Sequence, residues 1–318
     1  MNNAEISELY KQILNLRWSP VAVRLMRPGE DIPEGVVAPS VPLRHCQSIT
    51  VARRGHCLYI PPSKHACPDG SGILGLVEMS QKLKSGDLYL LFKKLPNIET
   101  AQKMIATRPE FEPGTYTATL VAPLEMATFE PDVVIFTLWP EQAMWLCCAK
   151  TYATGERQHF RTSGYNSTCA DLTVQVMKSN EMNISFGCYG ARASSEIDDF
   201  EQYVSLPYHQ LPQLAESLKK LSLKSIPEER RKIYMPPVMD NVSRPGQEEV
   251  IEMQVLIDEA RCTSCGLCEA FCPASVFQFL VQNGEKKLII RDAAGCSACY
   301  TCVGQCAQRA IQLRPKRD

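Results

Sequence analysis

Apolar and polar positions follow two different periods over residues 1–222. Helical spacing, with apolar residues three or four apart, runs through 3–16, 45–54, 72–84, 98–106, 140–150, 167–178 and 207–221. In the first of these, Ile6, Tyr10, Ile13 and Leu14 share one face. Between the helical stretches lie runs of strand length and strand composition: PVAVRLM at 20–26, TYTATLVAP at 115–123, DVVIFTLW at 132–139 and FEQYVSLP at 200–207. This interleaving predicts a sheet covered by helices, an α+β or α/β domain over residues 1–222, without fixing the strand order. From 223 to 250 the periodicity stops, and PP, RPG and charge clusters mark a linker. Residues 251–318 hold too few apolar residues for a sizeable core and need a staple.

Bulk composition narrows the classes. The chain has 34 Lys+Arg against 35 Asp+Glu, which gives no global attraction to nucleic acid or to an acidic membrane. The longest apolar runs are far shorter than the ~20 residues of a membrane helix. The start lacks the unbroken apolar core of a signal peptide, so a soluble, cytoplasmic protein is expected. In a reducing compartment, 15 cysteines point to metal binding or thiol chemistry rather than to disulfides.

Eight of those cysteines form an internal repeat. Cys262, Cys265, Cys268 and Cys272 recur 34 residues later as Cys296, Cys299, Cys302 and Cys306. Three cysteines at this spacing curl a loop around one face of a cubane, and the fourth reaches a neighbouring cluster. The reading assigns one 4Fe-4S cluster to Cys262, Cys265, Cys268 and Cys306, and a second to Cys296, Cys299, Cys302 and Cys272. Zinc ribbons pair two C-x2-C knuckles and leave the third and fourth cysteine of each run without a role. The segment resembles a bacterial two-cluster ferredoxin over about its whole length, which implies two pseudo-symmetric halves whose clusters exchange electrons. It departs from that pattern in Ala307, where a proline is usual, and in a longer hairpin around Asn283-Gly284.

The large domain has its own cysteine chemistry. Cys46 lies near the start of a predicted helix, where amides and the helix dipole lower a thiol's pKa. Cys67 precedes the turn PDGSG, which directs its thiol at loop amides, while Cys169 and Cys188 lie among the small residues that let backbone approach a ligand. Together Cys46, Cys67, Cys169 and Cys188 are candidate metal ligands or redox thiols. Cys57, Cys147 and Cys148 have apolar neighbours and read as small hydrophobes. Arg53 and Arg192 either form ordinary ion pairs or offset the charge of an anionic cluster or substrate. His45, His56 and His65 read as structural hydrogen-bonders, and GSGILG at 70–75 as a turn and helix start, since no strand precedes it.

On RHCQSITVARRG, CPDGSGILGL and the stretch from Asn183 to Leu218, residues 5–222 resemble the uncharacterised family called domain of unknown function 169. The resemblance implies a common fold and a common site, with no established activity. Its motifs fall on Cys46, Arg53, Cys67, Gly70, Gly75, Cys169, Cys188, Gly190 and Arg192.

The function expected is an iron-sulfur oxidoreductase suited to anaerobic conditions. Electrons would pass from two 4Fe-4S clusters to a cysteine-framed site holding a third cluster, another metal or a substrate. The alternatives are a maturation factor that reduces or loads a cofactor in another protein, and a redox sensor without turnover. The expected partners are a redox protein or a small molecule, and a homo-oligomer is compatible with the sequence. EERRK (228–232) and RPKRD (314–318) are basic stretches suited to an acidic partner or to plain solvation. About eight irons are expected in the C-terminal module, and Cys299→Ala should disturb one cluster while the other persists. Iron and sulfide analysis with electron paramagnetic resonance checks this; zinc without acid-labile sulfide would contradict it.

Overall fold

The computed structural model describes residues 1–222, 253–282 and 284–316. The chain divides into two compact units, Met1–Ile226 and Pro227–Asp318. The linker expected over 223–250, with its EERRK stretch, lies outside the described residues, as do Arg317 and Asp318. No helix among the described residues is long and apolar enough to cross a membrane.

The first unit is an α+β domain. Its strands are β1 (Val21–Met26), β2 (Leu58–Ile60), β3 (Ala118–Pro123), β4 (Val133–Leu138), β5 (Asn183–Ser185) and β6 (Gln202–Pro207). They form one sheet in the order β2-β3-β1-β4-β6-β5, and every pairing is antiparallel. This removes the α/β alternative, because a parallel sheet would need crossovers in place of these pairings.

Both faces of the sheet are covered, which explains the unbroken apolar runs in β3 and β4, buried at every position. On one face, alternate strand residues such as Ala22, Leu120, Phe136 and Val204 pack under α1 (Asn3–Leu14), α7 (Pro140–Thr154) and α10 (Leu211–Ser222). The apolar stripe of α1 is the one its spacing predicts: Ile6, Tyr10 and Leu14 are buried, and Ile13 packs at the edge of the same cluster. On the other face, Val21, Val23, Val133, Ile135 and Tyr203 meet Ile49 and Ala52 of α2 (His45–Ala52), together with Leu172 and Val176. The second face therefore holds the elements that carry Cys46 and Cys169.

Two of the expected elements differ. The helix expected over 72–84 is broken into α3 (Pro68–Ile73) and α4 (Gln81–Ser85), followed by α5 (Asp87–Leu91) and by α6 (Ile98–Thr107), the helix expected over 98–106. Gly75 takes a left-handed φ of +73°, and a Cβ there would lie 2.8 Å from Phe111 Cβ, so the chain turns at that point. The helix expected over 167–178 begins as a π-helix, Ser167–Val174, and continues as α8 (Gln175–Ser179). In its first turn the Asp171 amide donates to the Asn166 carbonyl five residues back. The wider turn sets Cys169 and Asp171 at different angles from those of an α-helix.

In the second unit, β7 (Met253–Ile257) pairs with β10 (Ile311–Pro315), and β8 (Phe277–Gln282) pairs with β9 (Glu285–Ile290). The second pair is the hairpin expected at Asn283-Gly284, although Asn283 itself lies outside the described residues. A short helix lies within each cysteine run and carries its third cysteine: α11 (Leu267–Phe271) holds Cys268 and α12 (Thr301–Gln305) holds Cys302. The small core includes Val276, Phe277, Leu288 and Ile311, and Cys268 and Cys302 are buried in it.

One carboxylate fastens α1 to the sheet. Glu125, just after β3, accepts from Ser7 Oγ (2.8 Å), Ser19 Oγ (2.6 Å) and Lys11 Nζ. Burial alone would push its pKa up, but these donors outweigh burial and hold it below the ordinary 4.5. A lowered carboxyl pKa stabilises the fold above the unfolded value, and that contribution is lost as pH falls through the folded value. Glu125→Gln should therefore destabilise the unit by about 1–3 kcal/mol near neutral pH, and the deficit should shrink in acid. Denaturant unfolding read by tryptophan fluorescence checks this, since Trp18, Trp139 and Trp145 all lie in the large unit.

Candidate functional site

The repeat in the second unit extends to the backbone. Ser264, Gly266 and Ser275 have positive φ, and so do Ala298, Tyr300 and Arg309, each 34 residues later. Five of these six are not glycine, and a left-handed L-residue costs roughly 1–2 kcal/mol. The strain recurs where each loop must turn its cysteines to one side. The fourth cysteine of each run is held alike: Val276 N–H donates to Cys272 Sγ (3.3 Å) and Ala310 N–H to Cys306 Sγ (3.2 Å). A small cavity is lined by Cys296, Cys299 and Cys302 together with Cys272 from the other run. The donor set, the amide bonds to sulfur and this lining fit a 4Fe-4S cluster.

In the large unit, each candidate cysteine lies at a structural junction. Cys46 occupies the first turn of α2 and is 6% exposed. Cys67 is the N-cap of α3, and its sulfur accepts from Gly70 N–H at 3.4 Å. Cys169 is buried on the π-helix, and Cys188 is the N-cap of α9 (Tyr189–Ser194). Two glycines mark where they approach. A Cβ on Gly70 would lie 3.5 Å from Cys67 Sγ and 3.7 Å from Cys169 Sγ. A Cβ on Gly190 would lie 3.9 Å from Cys188 Sγ and 3.0 Å from Arg44 Nη1.

The thiols also oppose one another's ionisation. Burial pushes Cys46 up to about 12, helped by Cys188 and Cys67. Burial raises Cys169 well above the usual thiol value, with Cys67, Cys188 and Asp69 adding to it. Burial likewise raises Cys67, with Asp69 and Cys188 adding and the Gly70 amide and Arg44 working against it. The expectation that a helix start would lower Cys46 is therefore reversed: desolvation outweighs the favourable amide of Gln47. Among the described residues no group of three or more His, Cys, Asp or Glu stands in the geometry of a single bound ion. That holds for the ferredoxin cysteines as well, because a cubane spreads its ligands over four irons.

The two expected arginines are engaged elsewhere. Arg53 pairs with Glu201 at 3.4 Å, donates to the Glu196 carbonyl and lies 4.4 Å over Trp18. Arg192 donates to the carbonyls of Phe186, Asp198 and Glu201. Both are structural. The cation beside the thiols is Arg44, whose guanidinium has no carboxylate partner among the described residues. His45 and His65 bond Thr173 and Thr119 through Nε2, and burial lowers them to about 3 and about 4, so both are neutral. Cys57 and Cys147 pack at the edge of the core. In GSGILG, a Cβ on Gly72 would run into the Met79 side chain, so that glycine serves packing.

A polar network lies beside the thiols. Asp69 accepts from Arg108 Nη1 (3.0 Å), Tyr89 Oη (2.9 Å) and Asn166 Nδ2 (2.6 Å). Arg108 and Asn166 also line a cavity of about 330 Å³, together with Ala170 and Asp171 of the π-helix. Burial pushes the Asp171 carboxyl up to about 6, against hydrogen bonds from Thr162 and Ser185.

A family model for domain of unknown function 169, described as uncharacterised ArCR, matches residues 10–217. The chain belongs to this family. A 4Fe-4S binding domain model matches residues 255–278, so the C-terminal unit is an iron-sulfur module suited to electron transfer. An uncharacterized protein of Methanocaldococcus jannaschii, MJ0308, is 32% identical over 224 residues, covering 69% of this chain and 96% of the relative. No solved structure matches the chain.

In metal-free protein the raised thiols should be slow nucleophiles. At about pH 8, a pKa near 12 leaves roughly one Cys46 in ten thousand as thiolate. Timed iodoacetamide labelling with peptide mass spectrometry should show exposed Cys265 and Cys299 modified first and Cys46 and Cys169 last. The Cys46 rate should rise about tenfold per pH unit.

Proposed function

We propose that the chain is an iron-sulfur oxidoreductase in which two 4Fe-4S clusters in the C-terminal module supply electrons to a site in the large domain. Cys262, Cys265, Cys268 and Cys306 would hold one cluster, and Cys296, Cys299, Cys302 and Cys272 the other. The cavity lined by the second set supports this crossed assignment. Cys46, Cys67, Cys169 and Cys188 would hold a further 4Fe-4S cluster, with Arg44 offsetting its negative charge. When bound, such clusters supply one-electron transfer.

The observation that carries the reading is the pair of glycine cradles. Gly70 leaves open the space between Cys67 and Cys169, and Gly190 leaves open the space between Cys188 and Arg44. Ordinary buried cysteines fill space as small hydrophobes. Here Cys67 and Cys169 converge on one glycine, and Cys188 shares another with a cation that has no carboxylate partner among the described residues. Fusing donor and acceptor in one chain raises the effective concentration of each for the other.

A second reading is favoured by the surface beside Cys188. Tyr189 and Phe92 are exposed, and Lys94 Nζ lies 5.6 Å and 5.8 Å from their ring centroids. An exposed aromatic surface next to a thiol suits a factor that delivers electrons or a cofactor to another protein. Such a factor would act only when its partner is present.

Iron and acid-labile sulfide in anaerobically purified protein test the main reading. About twelve irons are expected for the wild type, and about eight for Cys67→Ser and for Gly70→Ala, whose new Cβ fills the cradle at ordinary contact distance. Eight irons in the wild type, unchanged in both variants, would remove the large-domain cluster and leave the second reading ahead.

A further inference from the structure

The cavity of about 330 Å³ plays no part in holding clusters, yet it adjoins the element that carries Cys169. Its volume is room for about ten waters, within the range of small-molecule sites. Ala170, in its wall, lies between Cys169 and Asp171 in the chain, and Arg108 and Asn166 connect the cavity to Asp69 and so to the thiols.

The charges of the lining residues are unevenly matched. Arg108 is balanced by Asp69 at 3.0 Å and Glu110 at 2.7 Å. The backbone of Arg161 is held by the Asn183 side chain, through its N–H and its carbonyl, at 2.8 Å each. Its guanidinium, however, makes no hydrogen bond or ion pair among the described residues. Asp171 Oδ2 accepts from Thr162 and Ser185, and Oδ1 has no partner among the described residues. Phe160 and Met104 give the same cavity an apolar side.

We propose that this cavity binds a small organic monocarboxylate, its carboxylate paired with Arg161 and its apolar body against Phe160 and Met104. A guanidinium matches a carboxylate in a planar, two-bond fork. A single unbalanced arginine in a cavity that Asp171 also lines favours a monoanion over a phosphate dianion. The proposal rests on the reading above only for the role of the ligand as acceptor of the electrons; binding itself requires neither reduction nor a large-domain cluster.

The test is titration calorimetry on the full-length protein under anaerobic conditions, with benzoate, hexanoate and inorganic phosphate as probes. Saturable binding of a carboxylate is expected, weakened about tenfold or more by Arg161→Gln, partly restored by Arg161→Lys, and weakened by Phe160→Ala. Arg161 is exposed, so its variants should keep the wild-type melting temperature. The proposal is overturned if neither carboxylate binds up to about 10 mM, where even a millimolar site would fill. It is also overturned if Arg161→Gln binds as tightly as wild type, or if phosphate binds as tightly as the carboxylates. Iron content and carboxylate binding, measured on the same wild-type protein, separate the two readings: carboxylate binding with only the module's irons keeps this site and removes the large-domain cluster. A full iron content without carboxylate binding does the reverse.

Discussion

The arrangement of the large domain depends on the need to bury both faces of an antiparallel sheet. Strands β3 and β4 are apolar on both sides, so an uncovered face would leave several buried-type side chains in water, at about 1.5–3 kcal/mol each. One face is closed by three long helices, α1, α7 and α10, of which α1 and α10 are amphipathic. The other has shorter cover: α2, the π-helix and α8. Short elements have many ends, and on this face cysteines cluster at those ends, with Cys46 in a first turn and Cys67 and Cys188 at N-caps.

Burial then decides the chemistry of these thiols. At the surface, a cysteine at a helix start would be a ready nucleophile. Here desolvation, with repulsion between neighbouring thiols, disfavours the thiolates of Cys46, Cys67 and Cys169 until something positive arrives. A metal centre is such a group, since it takes ligands as thiolates and releases their protons. The Asp69 network beside them is closed by hydrogen bonds from Tyr89, Arg108 and Asn166, which fixes the wall between the thiols and the neighbouring cavity. The site thus has a sulfur side and a polar side, with the π-helix contributing to both through Cys169 and Asp171.

The C-terminal unit faces a different constraint, too few apolar residues for a sizeable core. Its repeated left-handed residues recur at the 34-residue offset of its cysteines, so the strain belongs to the ligand loops rather than to one accidental turn. Cys268 and Cys302 count among its buried residues, and metal ligation there would replace part of the apolar contact a larger domain obtains from side chains alone.

Much of this was legible in the chain itself. The pattern places α1, β1, β4 and β6 to within two residues, because α1 must keep one apolar stripe inward and each of these strands is a short apolar run set off from its helical neighbours. The cysteine spacing identifies the iron-sulfur module, because ligation geometry is local and leaves its mark over a few residues. Cys46, Cys67, Cys169 and Cys188 stand out by their small and turn-forming neighbours. The sequence could not show that β1 lies between β3 and β4, nor that Arg44 rather than Arg53 or Arg192 stands beside the thiols. It also misdirected the pKa of Cys46, since a helix start is visible locally while desolvation depends on what packs above it. Arg108, Asn166 and Asp171 carry no local signal, because they matter only through partners 39, 97 and 14 residues away. Local geometry was written in the sequence; contacts between distant segments, and the burial they impose on charge, were decided by the tertiary fold.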